Sequence, residues 1–148
     1  MTRLFVRRDW LRVAFGSGLA LLLPAARACE FYATTLRVTH PWTRETAEGE
    51  TSAIVCMDFD EVLHDDRLIG AESPLAEGAE MAGLGASSDV DFTILKGSAI
   101  KLCETGTTLR LLGLKEPLEV GRVYPLRLIF ERGGSVMTDL SVDYARAT

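Results

Sequence analysis

The sequence predicts an all-β domain, a sandwich or barrel. Nine short stretches alternate apolar and polar residues or run apolar at strand length: 35–39, 52–59, 67–71, 79–81, 90–95, 99–103, 107–112, 124–131 and 136–143. Turn formers separate them at short intervals, among them Pro41, Gly49, Pro74, Gly97, Gly106, Pro117, Gly121 and the pair Gly133-Gly134. No stretch carries the 3.6-residue period of an amphipathic helix. Many short strands spaced by turn residues are the pattern of a sandwich or barrel.

Residues 1–28 read as an export signal. Arg3, Arg7 and Arg8 give a positive start, a mostly apolar stretch follows to Ala26, and Ala26-Arg27-Ala28 places small residues where a signal peptidase cuts. The apolar part falls short of the roughly 20 residues that span a bilayer. The run Val6-Arg7-Arg8-Asp9-Trp10-Leu11-Arg12 resembles a twin-arginine signal, an address read by a receptor. Export to the periplasm is the expectation, with no transmembrane span in the mature chain. Cys29 follows the cut. A lipoprotein signal prefers a branched aliphatic residue three positions earlier, where Ala26 stands, and Arg27 is charged. A plain N-terminal cysteine is the favoured reading, and lipid anchoring at Cys29 stays open.

Removing residues 1–28 changes the electrostatics. They hold five arginines and one aspartate, net +4, so a chain of net charge -5 leaves -9 on residues 29–148. That balance argues against nucleic acid and anionic membrane surfaces as partners. These 120 residues suffice for one domain and no more. Cys56 and Cys103 face an oxidising compartment, and both a disulfide and two free thiols remain open.

The stretch from Gly97 to Leu118 organises the middle of the chain. The segments 99–103 and 107–112 alternate around Glu104-Thr105-Gly106, which predicts a β-hairpin. Within it Thr108, Arg110 and Leu112 share one face and Leu109 and Leu111 the other. Catalytic groupings are missing: no Ser–His–Asp order, no phosphate loop and no Cys-x-x-Cys. Asp58/Asp60 and Asp65/Asp66 read as strand-end and turn residues. A non-enzyme is expected.

Several segments together resemble the periplasmic copper chaperones called PCu(A)C. They are His40-Pro41-Trp42-Thr43-Arg44, the run Asp66-Arg67-Leu68-Ile69-Gly70-Ala71-Glu72-Ser73-Pro74, and Gly113-Leu114-Lys115-Glu116-Pro117-Leu118. Pro125 to Glu131 with Gly133-Gly134-Ser135-Val136 is similar to that family's closing hairpin. The resemblance implies a cupredoxin-like or immunoglobulin-like β-sandwich over 29–148 that carries Cu(I), with cytochrome oxidase assembly factors or another periplasmic protein as partner. It also implies a His and a Met mid-chain and a His-x-Met pair in the strand before Gly113. Those positions read Ala82, Thr108 and Arg110 here, and the intervening loop 83–91 is short and lacks Met.

Cu(I) is soft and takes thioether and imidazole ligands. Thr108 offers a hard oxygen, and Arg110 offers no lone pair and a fixed positive charge. A guanidinium about 4 Å from a monovalent cation costs about 1 kcal/mol in water and about 4 at an effective dielectric of 20. The family site therefore reads as lost. Met81, beside Ala82, is the nearest surrogate ligand, while Met57, Met137, Cys56, Cys103, His40 and His64 have ordinary core or surface readings. The rival to a copper-chaperone-like role is a metal-free module that docks a periplasmic protein or ligand.

Overall fold

The computed structural model describes residues 29–83 and 88–146; the predicted export signal and residues 84–87 of the loop 83–91 lie outside the described residues. Ten strands follow in order: β1 Glu30–Tyr32, β2 Arg37–Arg44, β3 Ser52–Asp60, β4 Asp66–Glu72, β5 Gly78–Ala82, β6 Phe92–Ile94, β7 Ile100–Leu102, β8 Thr108–Leu112, β9 Val123–Phe130 and β10 Gly134–Tyr144. Among the described residues there is no helix, so none long and apolar enough to cross a membrane.

All nine expected strands form. The additions are β1 and the continuation of β2 through Pro41. That proline sits where the β2–β3 register slips between Thr39 and Trp42, and His40 just before it has φ 49°. A bulge lets a strand run through a proline that cannot donate to the ladder.

Hydrogen-bonded neighbours run β5-β8-β3-β2-β10-β9-β4-β6, with β1 also on β2 and β7 also on β3. Every pairing is antiparallel except β2 with β10. The path curls until β4 and β5, which are consecutive in sequence, pack together. The result is the β-sandwich expected from the sequence.

Its interior comes from alternate residues of each strand. Ala53, Val55, Met57 and Phe59 of β3 point inward, as do Leu126, Leu128 and Phe130 of β9. Phe59 meets Phe130 edge-on at 5.7 Å between ring centroids, tying the two layers together. Buried aliphatic and aromatic side chains dominate the stability of such a core.

The expected hairpin over 99–112 does not form. β7 and β8 lie end to end along the same edge of β3: Met57 faces Leu102, and Val55 faces Leu109. Residues 103–108 thus stand opposite the single residue Cys56. The turn residues at 104–106 make a step in an edge instead of a reversal.

Asp66 departs from its sequence reading. It was expected as a turn residue, and it is buried. Its Oδ2 accepts from the Thr35 hydroxyl at 2.6 Å and the Gly133 amide at 2.9 Å; its Oδ1 accepts from the Arg132 amide at 2.7 Å and the Arg67 amide at 2.8 Å. One carboxylate closes the turn after β9 onto the start of β4 and the loop before β2. A Cβ on Gly133 would come within 2.5 Å of the Thr35 hydroxyl, so glycine is required there.

Candidate functional site

The positions singled out in the sequence meet on β5 and β8. Ala82 faces Thr108 directly, and Glu80 faces Arg110, all four on the outer surface of the sheet. Side chains directly opposed in an antiparallel pair lie about 4.5–5.5 Å apart at Cβ, so Ala82, Thr108 and Arg110 are neighbours in one patch.

What fills the patch is not a set of soft donors. Thr108 is buried, with its hydroxyl 3.5 Å from the Ala82 carbonyl oxygen. The Arg110 guanidinium donates to the Glu80 carboxylate at 3.3 Å. Ile54 of β3 stands on the other side of Arg110 in the same row.

Met81 does not belong to this patch. It faces Leu109 across the ladder, on the inner surface, and is 3% exposed in the core. Strand alternation sends it away from its neighbours Glu80 and Ala82. As a surrogate ligand it is on the wrong side of the sheet. The remaining soft methionines and histidines are dispersed. Met57 is core, Met137 is exposed on β10, and His64 lies in the exposed turn before β4. His40 pairs with Asp143 at 2.9 Å. Among the described residues no three His, Cys, Asp or Glu side chains are grouped to hold a metal ion.

Beside the patch the outer face opens into a concavity of about 550 Å³ whose lining includes Thr46, Ser52, Ile54, Glu104 and Arg110. Across its floor Arg44 of β2 grips Glu104 in a two-pronged pair, 2.7 Å and 3.0 Å. The same guanidinium lies 5.4 Å from the Tyr144 ring and 6.0 Å from the Trp42 ring, which themselves meet edge-on at 4.8 Å. Hydrogen bonding to Arg44 holds the Glu104 carboxyl below the usual range. The sequence reading missed this Arg44–Glu104 link; the two are 60 residues apart and nothing local connects them.

The curled all-β sandwich is that of PCuAC-type domains, a copper-chaperone-like class. The chain belongs to the family described as "Putative lipoprotein LpqE-like", whose model matches residues 36–142. Among solved structures it is similar to the copper-bound PCuAC domain of PmoF2, at 25% identity and TM-score 0.72, covering 78% of this chain and 97% of that one. The apo PCuAC domain of PmoF1 is 27% identical with TM-score 0.71, covering 78% and 98%. A Cu(I)-loaded protein of Deinococcus radiodurans shares the fold at 21% identity and TM-score 0.63, covering 80% of this chain and 81% of that one. No curated protein matches the sequence.

Proposed function

We propose that this chain is an exported, copper-chaperone-like protein whose family ligand position does not hold Cu(I). The observation that carries the reading is the Glu80–Arg110 ion pair beside Thr108. A Cu(I) ion placed there would meet a guanidinium and a buried hydroxyl, whereas solved structures similar to this fold are described as copper-bound. Neither group is a soft donor, and the Arg110 guanidinium, held by Glu80, has no lone pair to offer. The residues present do not fit the metal.

In this reading residues 1–28 are removed on export through the twin-arginine route, and 29–148 act in the periplasm as a single non-enzymatic domain. The concavity under Arg44, Glu104 and Arg110 favours a second reading, in which the fold docks a periplasmic protein or ligand without metal. A cytochrome oxidase assembly factor is the partner class that the copper-chaperone-like role suggests.

The test is a Cu(I) titration against a colorimetric chelator under reducing conditions. A Cys29→Ser/Cys103→Ser background keeps accessible thiols from capturing the ion while leaving the β5–β8 patch intact. Weak or no binding is expected. Tight stoichiometric binding in that background overturns the reading.

A further inference from the structure

The step between β7 and β8 brings together two cysteines that are far apart in sequence. The β3–β7 ladder ends with Met57 opposite Leu102, and one rung further along the same antiparallel register would set Cys103 against Cys56. Facing Cα atoms in such a ladder are about 4.5–5.5 Å apart, inside the roughly 4.4–6.8 Å that a disulfide spans. Cys103 is near enough to act electrostatically on Cys56, as Glu104 and Arg44 also do. All three cysteines are free in the structure. Cys29 precedes β1, which flanks β2 on the edge away from β3, so it does not share this rung.

The two thiols are unequal. Cys103 is partly exposed at the step, with its Sγ 3.3 Å from the Thr105 carbonyl and 3.6 Å from the Thr105 hydroxyl. Cys56 points outward from β3 yet is 1% exposed.

We propose that Cys56 and Cys103 form a redox-reversible cross-strand disulfide, with Cys103 the entry thiol and Cys56 the buried resolving thiol. The oxidant is a disulfide RSSR, either a low-molecular-weight one or that of a thiol–disulfide exchange protein. The Cys103 thiolate attacks one sulfur, forming a mixed disulfide and releasing RS⁻. Cys56 then gives its proton to solvent, and its thiolate attacks the Cys103 sulfur, expelling the second RS⁻. Two protein thiols are oxidised and one RSSR is reduced to two RSH.

The environments suit these roles. Hydrogen bonding from the Thr105 hydroxyl, foremost, moves the Cys103 pKa down, which favours the attacking thiolate. Burial pushes the Cys56 thiol up to about 12, with Glu104 and Cys103 adding to the effect and Arg44 opposing it. Cys56 is therefore slow until a mixed disulfide is held beside it. The bond would pin the step at 103–107 to β3 where the backbone ladder is interrupted. The proposal stands independently of the copper reading.

The experiment uses the Cys29→Ser variant of the full chain, reduced and then exposed to oxidised glutathione, quenched with N-ethylmaleimide and weighed intact. The expected product has lost two hydrogens, carries no maleimide, and yields a peptide linking positions 56 and 103. Before oxidation, maleimide should modify Cys103 at least about tenfold faster than Cys56. Adding Cys56→Ala should stop the reaction at a glutathione adduct on Cys103, and adding Cys103→Ser should give no adduct. A folded Cys29→Ser protein that keeps two alkylatable thiols overturns the proposal. So does a stable glutathione adduct on Cys103 while Cys56 is present. If Cys56→Ala does not fold, the intact-mass result on Cys29→Ser alone decides.

Discussion

Arg110 donates to Glu80 across the β5–β8 ladder at 3.3 Å, and this pair occupies the outer face one rung pair away from Ala82 and Thr108. Both partners are partly exposed, so the pair adds little to stability. Its weight is chemical, because it fills this position with a guanidinium that has no lone pair to offer a metal and with a carboxylate already engaged.

Replacing Ala82 and Thr108 by His and Arg110 by Met should therefore create Cu(I) binding. The first two face each other, and position 110 lies two residues along the same face of β8. Two imidazoles and a thioether then converge, and the guanidinium is gone. Met81 contributes nothing, since it points into the core. Chelator competition in the Cys29→Ser/Cys103→Ser background should show a gain over the unmodified patch. A folded variant without that gain would show that the three positions do not converge as the ladder places them.

The inward face of β9 should be the most sensitive part of the core. Phe130 is 2% exposed and packs edge-on against Phe59. Phe130→Ala should cost about 3–5 kcal/mol in urea melts, as truncating a buried aromatic leaves a cavity. A loss under about 1 kcal/mol would mean that the layers close without this contact.

Much of this was legible in the sequence because alternation reports burial directly. Leu126, Leu128 and Phe130 alternate with Pro125 and Arg127, and the structure buries the first set and exposes the second. What was not legible depends on partners far along the chain. The turn signal at 104–106 is real, but local chemistry cannot say whether the flanking strands pair with each other or both with β3. Asp66 looks like any turn aspartate until Gly133 and Arg132, more than 60 residues later, present their amides to it. Pro41 reads as a break because the bulge that accommodates it involves β3. Met81 was placed by its neighbour in sequence, whereas the period of two puts it on the opposite face.

The end of β5 should tolerate no side chain at Gly83. Its φ is 100°, and a Cβ there would lie 2.0 Å from the Gly106 carbonyl oxygen, a backbone atom with no rotamer to yield. Gly83→Ala should cost at least about 2 kcal/mol, combining the left-handed strain with the clash. Gly78→Ala, at the other end of β5 with nothing within 4 Å, should stay within about 0.5 kcal/mol. Equal melts for the two variants would show that Gly83 does not back against the 103–107 step.

Asp66 should make stability depend on acid. Burial alone would raise its pKa, but hydrogen bonds from the Thr35 hydroxyl and the Arg132, Arg67 and Gly133 amides outweigh that, and the net movement is downward. A depressed folded pKa means that the unfolded chain binds the proton more readily. The contribution is then complete above the unfolded value of about 3.9 and is lost as pH falls through the folded one. Asp66→Ala leaves three amides and a hydroxyl without their acceptor, so at pH 7 it should cost about 3 kcal/mol or more. Asp66→Asn should recover only part of this, since its amide nitrogen would face donors. In urea melts at pH 7, 5 and 3 the gap between wild type and Asp66→Ala should hold between pH 7 and 5 and narrow at pH 3. A gap that stays constant down to pH 3 would mean that the carboxylate's charge does not hold this junction together.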